Sequence, residues 1–155
     1  MKREGTARPV IDFKGHKPKV LILEARFYED IADNMAAGAI AVLEQHGCTY
    51  ERIAVPGALE IPLALQLAHG QFDAAIALGC IIRGETYHFE IVCNDSCRGL
   101  MDVSLKHNIP VGNGILTVEN LAQAQERADP SQLDKGGDAA YAALKLLLIK
   151  KAKAA

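Results

Sequence analysis

The chain has 155 residues, of which 50% are hydrophobic and 23% charged, and its formal net charge at pH 7 is −2. This length and apolar content suit one domain with its own core and exclude a disordered protein. The near-neutral charge argues against general nucleic-acid binding, which requires a basic surface. No apolar run reaches the roughly 18 to 20 residues of a membrane-spanning helix. The first ten residues lack the apolar segment of a secretion signal, so we expect a cytoplasmic protein.

Residues 1–16 are polar and mixed, which predicts an N-terminal arm outside the core, followed by a single domain over residues 17–155. Continuous apolar runs within that domain predict four buried strands, over residues 17–25, 50–55, 73–80 and 109–116. Apolar residues at helical spacing predict helices over residues 29–46, 59–69, 85–107, 120–128 and 134–151. Gly47 is the expected C-terminal stop of the first helix.

This alternation predicts a three-layer α/β fold, a doubly wound (flavodoxin-like) sandwich with a four-stranded parallel sheet and helices on both faces. In such folds, ligands bind beyond the carboxyl ends of the strands. The segments after Ala25, Val55, Cys80 and Leu116 are therefore the candidates for a binding site.

The first two strand ends carry residues suited to a planar ligand that bears hydroxyl groups. Phe27 could stack on a planar ring or, alternatively, cap the core. After the second strand, Gly57 and Ala58 leave room for a ligand, and the Glu60 carboxylate could accept hydrogen bonds from hydroxyl groups. Capping of the following helix would explain Glu60 equally well.

The third strand end is the most informative, because a glycine-bearing turn leads directly into a helix. The backbone N–H groups of Gly84, Glu85 and Thr86 would be exposed there and could bind an anion. His88 falls in the first helical turn, within reach of that anion, and an imidazole can transfer a proton near neutral pH. A solitary histidine is more often structural, so it is the location of His88 that favours a functional role.

Two cations, Arg127 and Lys135, follow the fourth strand and could close on a phosphate, although solvation at the surface would explain either one alone. The glycines around Asn113 are too few for a dinucleotide-binding motif, and the sequence contains no motif of P-loop nucleotide hydrolases, serine hydrolases or zinc proteases. The four cysteines form no CxxC pair and lack the spacing of zinc ligands, so we expect reduced apolar fillers and no metal site.

Six segments, in this order and spacing, resemble the lumazine synthase family, that is, 6,7-dimethyl-8-ribityllumazine synthase. They are Arg26-Phe27, VPGALEIP at 55–62, IRGETYHF at 82–89, GILT at 114–117, QAQERA at 123–128 and Lys135-Gly136. Each motif is weak by itself, but the six together are specific and extend over about residues 17–150.

The resemblance implies a transferase that needs no metal or organic cofactor and acts in the penultimate step of riboflavin biosynthesis. It would condense 5-amino-6-(D-ribitylamino)uracil with 3,4-dihydroxy-2-butanone 4-phosphate to give 6,7-dimethyl-8-ribityllumazine, phosphate and water. The family also implies a homopentamer, or a multiple of pentamers, with the active site between subunits. The segments around residues 113, 127 and 135 would come from the neighbouring subunit.

The resemblance also assigns roles by position: His88 would transfer protons and Phe27 would stack on the pyrimidine. The other implied substrate contacts are Ala58, Leu59 and Glu60 for the ribityl chain, Cys80, Ile81 and Ile82 for the ring, Gly84, Glu85, Thr86 and Arg127 for the phosphate, and Asn113 and Lys135 for the pocket wall.

Two positions depart from the usual family pattern. Asn113 stands where many members carry an aromatic or apolar residue, so it cannot cover the face of the uracil, and binding of substrate and of flavin could differ. Asp134 stands where Asn commonly precedes the Lys-Gly pair, a change that could merely cap the helix.

Two alternatives to the enzyme remain at this point. A non-catalytic flavin- or lumazine-binding protein could use the same pocket, but it would not need His88 together with Arg127 and Lys135. A flavodoxin-type electron carrier would require a hydroxyl-rich phosphate loop after the first strand, which the sequence lacks.

Overall fold

The computed structural model describes residues 7–154, in which strands and helices alternate. The strands are β1 (Lys19–Ala25), β2 (Thr49–Val55), β3 (Ala74–Ile82) and β4 (Val111–Val118). The helices are α1 (Glu29–Gln45), α2 (Ile61–Leu67), α3 (His88–His107), α4 (Leu121–Ala128) and α5 (Lys135–Ala154). Within the described residues, no helix is both long and apolar enough to cross a membrane.

The four strands form one parallel sheet in the order β2-β1-β3-β4. Strand β1 therefore lies between β2 and β3, and β4 occupies the edge beyond β3. Because all four strands run the same way, their carboxyl ends meet at one side of the sheet. The ends of β1, β2 and β3 are neighbours there.

Side chains of β1 alternate between two apolar layers, as the period of a strand requires. Ile22 packs into the layer of α1, α4 and α5, whereas Leu23 packs into the layer of α2 and α3. Helices thus cover both faces of the sheet. The predicted three-layer, doubly wound α/β fold is confirmed.

The boundaries differ from the prediction near the second and third strands. Residues Ala58–Glu60 form a 3-10 turn, and α2 begins only at Ile61, with Pro62 in the first turn, where its missing N–H group leaves no hydrogen bond unmade. Helix α3 begins at His88 rather than near residue 85, because residues 83–87 form the connecting turn. Gly47 follows α1 with φ = 67°, which agrees with the predicted stop.

Part of the predicted N-terminal arm belongs to the core. Ile11 and Phe13 are buried in the layer of α1 and α5, so the expectation that residues 1–16 stand outside the core is wrong for these two side chains. His46 accepts a hydrogen bond from the Ile11 N–H at 3.1 Å, and Tyr141 donates one to the Pro9 carbonyl at 2.7 Å. Residues 1–6 of the arm lie outside the described residues.

Candidate active site

A cavity of about 440 Å³ lies beyond the carboxyl ends of β1, β2 and β3. Its walls include ten of the predicted site residues: Phe27, Ala58, Leu59, Glu60, Cys80, Ile81, Ile82, Gly84, Thr86 and His88. These residues come from three of the four segments that the sequence selected. The fourth, after Leu116, does not reach the cavity, because β4 lies at the far edge of the sheet.

Phe27 stands at the cavity wall directly after β1, and 73% of its surface is exposed. The alternative that it caps the core is therefore wrong. Its ring meets that of Tyr28 edge to face, with centroids 5.0 Å apart and an interplanar angle of 73°. Edge contact with Tyr28 orients the Phe27 ring and leaves its face for a planar ligand.

Glu60 offers a carboxylate at the start of α2. Its side chain makes no capping hydrogen bond to that helix, so helix capping does not account for it. The carboxylate turns back toward Gly57, where a Cβ atom would lie 3.0 Å from Oε2. The absence of a side chain at Gly57 thus gives this carboxylate room at the cavity wall.

The turn between β3 and α3 leaves donor groups without partners. The Arg83 N–H still donates to the Val118 carbonyl at 2.9 Å, but among residues 7–154 no hydrogen bond is donated by the N–H groups of Gly84, Glu85 and Thr86. Three such groups in the turn immediately before a 20-residue helix form a favourable place for an anion.

His88 is the first residue of α3, and its exposed side chain lines the cavity beside this turn. The backbone N–H of His88 donates a hydrogen bond to Thr86 Oγ1 at 3.4 Å, which ties the start of the helix to the turn. An anion held by the turn would therefore lie next to an imidazole that can exchange protons with a bound ligand.

Four predicted site residues do not line the cavity of their own chain: Glu85, Asn113, Arg127 and Lys135. Arg127 donates to the Gln123 carbonyl at 3.2 Å and lies 3.6 Å from Glu126. The Lys135 ammonium lies 3.3 Å from Asp138. Within one chain, these two cations therefore do not close on the anion site.

The two positions that depart from the family pattern both engage their own chain. Asn113 pairs with Ala77 in the sheet register, accepts a hydrogen bond from the Ile115 N–H at 2.9 Å and contacts Cys97 Sγ at 3.5 Å. Asp134 accepts from the Gly137 N–H at 3.2 Å, as a helix cap does.

Asp134 also makes a contact that the sequence did not reveal. Its Oδ2 atom pairs with the Arg8 guanidinium at 2.6 Å, so the carboxylate ties the N-terminal segment to the start of α5.

The cavity also contains residues that sequence reasoning did not assign to a site. Phe89 and Val92 on α3 are half-buried against the apolar layer of that helix, yet they also line the cavity. Tyr28, directly after Phe27, and Pro56, directly after β2, line the cavity as well. Their position beside strand ends was the one signal that could have identified them.

The cysteines are unpaired thiols. Burial raises the pKa of Cys48 and of Cys80 to about 11, and it also raises the pKa of Cys93. Cys80 in the cavity wall is thus a neutral thiol at pH 7 and a poor nucleophile. Within residues 7–154, no three His, Cys, Asp or Glu side chains are grouped so as to hold a metal ion.

Comparison with known proteins places these features in a family. Residues 17–151 match the family described as 6,7-dimethyl-8-ribityllumazine synthase. Proteins of that name from Bartonella tribocorum and Azorhizobium caulinodans are both 55% identical to the chain, over 138 and 140 residues. These alignments cover 87% and 86% of this chain and 91% and 86% of the relatives. The chain therefore belongs to the 6,7-dimethyl-8-ribityllumazine synthase family, the transferases of the penultimate step of riboflavin biosynthesis.

Proposed function

We propose that the cavity binds 5-amino-6-(D-ribitylamino)uracil and 3,4-dihydroxy-2-butanone 4-phosphate and joins them into 6,7-dimethyl-8-ribityllumazine. One observation carries this assignment of the site. A flat aromatic face, a carboxylate and an imidazole line a single cavity, as Phe27, Glu60 and His88, and the imidazole lies beside backbone N–H groups that have no partner among residues 7–154. A heterocycle, a polyol chain and a phosphate require these three kinds of group.

The pyrimidine stacks on the exposed face of Phe27, with its edge against the backbone of Cys80, Ile81 and Ile82. Its ribityl chain extends toward the Ala58–Glu60 turn, where the carboxylate of Glu60 accepts hydrogen bonds from the hydroxyl groups. Ala58 in this turn is buried and has only a methyl side chain, so the ribityl chain meets no bulky group there.

The phosphate of the second substrate binds to the N–H groups of residues 84–86. Positive partial charge at the start of α3 stabilises it there. Its ketone then lies beside the amine of the pyrimidine, and the rate gain comes mainly from holding the two reactants in position.

The chemistry requires repeated proton transfers, which suits one imidazole beside a phosphate. The 5-amino nitrogen attacks the ketone carbon, water leaves, and an imine forms. Loss of a proton from carbon then expels inorganic phosphate. The resulting enol takes up a proton at its terminal carbon and becomes a new ketone, and the ribityl-bearing amine closes the ring onto this carbonyl, with loss of a second water. His88 accepts and returns the protons of these steps.

We also propose a pentamer, or a multiple of it, in which a neighbouring subunit completes each cavity. Arg127, Lys135 and Asn113 lie outside the cavity of their own chain, which leaves the phosphate there without a cation. A neighbour that presents Arg127 would supply one. Four large apolar side chains on α2 and α3 are at least 59% exposed and offer a surface for that contact: Leu63, Leu67, Met101 and Leu105.

We place the reaction in the cytoplasm, on the basis of cysteine chemistry. None of the four cysteines is in a disulfide, and thiols persist in a reducing compartment.

The direct test mixes the purified protein with the two substrates and follows the absorbance and fluorescence of the lumazine. We expect product to form faster than the uncatalysed background, without added metal. Product at the background rate, together with tight binding of lumazine or flavin, would instead indicate the non-catalytic binding protein.

A further inference from the structure

Arg83 is the cation closest in sequence to the anion-binding turn, yet its charge is directed elsewhere. Its Nε atom donates to Glu119 at 2.6 Å, and its Nη1 atom donates to Glu90. These hydrogen bonds, first that to Glu119, raise the pKa of Arg83, and the bond from Arg83 lowers the pKa of Glu90. Two of the five guanidinium N–H groups are thus held by Glu119 and Glu90, and Arg83 does not line the cavity itself.

These contacts join three parts of the fold around the turn. The backbone of Arg83 makes the last hydrogen bond between the ends of β3 and β4, to Val118. Glu119 follows β4, and Glu90 lies in the first turn of α3, two residues beyond His88. The guanidinium also lies over the ring of Phe89, with Cζ 4.3 Å from the centroid, and Phe89 lines the cavity.

The ion pairs also determine the local charge. Without the guanidinium, two carboxylates beside the turn would be left uncompensated, and each would repel a phosphate dianion. The first turn of α3 would also lose its link to the end of β4. Both consequences weaken the binding of a phosphate, whereas a pyrimidine on Phe27, which follows a different strand, is affected much less.

We propose that Arg83 is a positioning residue for the phosphate-bearing substrate: it clamps the turn of residues 84–87 and the start of α3, and it offsets one of the two negative charges of Glu90 and Glu119. This rests on the proposed function, since it takes the turn as the phosphate site. A planar, forked cation is needed for this role, because it satisfies two carboxylates and covers an aromatic ring at once.

The test compares Arg83→Met and Arg83→Lys with the wild-type enzyme by steady-state kinetics. For Arg83→Met we expect the KM for the butanone phosphate to rise about tenfold and the KM for the pyrimidine to change by less than about twofold. Arg83→Lys keeps the charge but loses the fork, so we expect a rise of about threefold. The defect of Arg83→Met should shrink in high salt, because salt screens the two carboxylates.

Two measurements separate this proposal from the proposed function and from a folding defect. Binding of inorganic phosphate alone, measured by calorimetry, should weaken about tenfold in Arg83→Met even if lumazine formation were not observed. Lys145→Met, which removes a cation at an exposed position on α5, on the other face of the sheet, serves as the matched control and should behave as wild type. Unchanged phosphate binding and an unchanged KM for the butanone phosphate in a folded Arg83→Met or Arg83→Lys enzyme would overturn the proposal.

Discussion

The two faces of the sheet are covered to different extents. On one face, α1 buries eight of its 17 residues, and α5 packs beside it. On the other face, α3 is longer, with 20 residues, yet only Ser96, Leu100 and Val103 are buried. Its remaining apolar side chains include Met101 and Leu105, which are 59% and 70% exposed.

This difference indicates separate tasks for the two layers. The layer of α1, α4 and α5 is filled by residues of the chain itself, including Ile11 and Phe13 from the N-terminal segment. The layer of α2 and α3 carries His88 and one wall of the cavity, and it retains apolar surface for a further contact. The first layer should therefore determine stability, and the second should determine assembly and catalysis.

The largest effect is expected where α5 meets the sheet. A Cβ atom at Gly112 would lie 1.8 Å from the Ala139 carbonyl oxygen, so Gly112→Ala must force α5 away from β4. We expect a loss of more than about 3 kcal/mol of stability in urea unfolding. Gly84→Ala is the control for stability, because its Cβ atom would meet nothing within 4 Å. Equal stability of the two variants would contradict the conclusion that the layer of α1, α4 and α5 determines stability.

A smaller loss is expected from a cavity in the same layer. Leu43 on α1 is fully buried, and Leu43→Ala should cost about 3 kcal/mol or somewhat less in urea unfolding. Ile149→Ala on α5, where the side chain is 53% exposed, should change stability by less than about 0.5 kcal/mol. A similar loss for both would mean that burial in this chain does not decide the stability of that layer.

Changes on the exposed surface of α2 and α3 should alter assembly more than folding. Leu67→Ser combined with Leu105→Ser removes two exposed apolar side chains from α2 and α3. We expect a smaller particle in sedimentation velocity, with the circular dichroism of the wild-type chain. The matched control, Leu146→Ser with Ile149→Ser on α5, should keep the wild-type mass. A reduced mass in the control alone would assign the assembly surface to the other layer.

The smallest effect concerns pH. His69 and His107 stack with centroids 4.1 Å apart, and desolvation, with the nearby charges of His69 and Lys106, lowers the pKa of His107. The unfolded chain therefore binds this proton more readily, and stability is lost as pH falls through the ordinary value of 6.5. We expect the urea concentration at the midpoint of unfolding to decrease as the pH is lowered from about 7 to about 5.5. The variant His107→Asn should show a smaller decrease. An identical decline in the variant would contradict the assignment to His107.

The sequence predicted the elements well because each strand is a continuous apolar run between polar segments. It failed for Ile11 and Phe13, which stand in a short, mixed segment and are buried only because the assembled fold brings α1 and α5 against them. The start of α2 was predicted too early, since apolar spacing does not distinguish a 3-10 turn from the first turn of an α-helix.

For the site, the rule of strand ends identified most of the cavity wall, but the sequence alone did not give the order of the strands. That order decides which three ends share the cavity and leaves the segment after β4 outside it. The sequence also did not reveal the ion pair between Arg83 and Glu119, because Glu119 lies 36 residues away and follows another strand.

The most direct test of a site shared between chains is complementation between two variants. His88→Ala should slow turnover moderately, and Arg127→Ala should mainly weaken binding of the phosphate substrate. If the two residues act in one site but come from different subunits, coexpression of the variants should restore about a quarter of the wild-type activity at low phosphate substrate, since about one site in four then contains both residues. Activity equal to the average of the two separate variants would contradict the shared site.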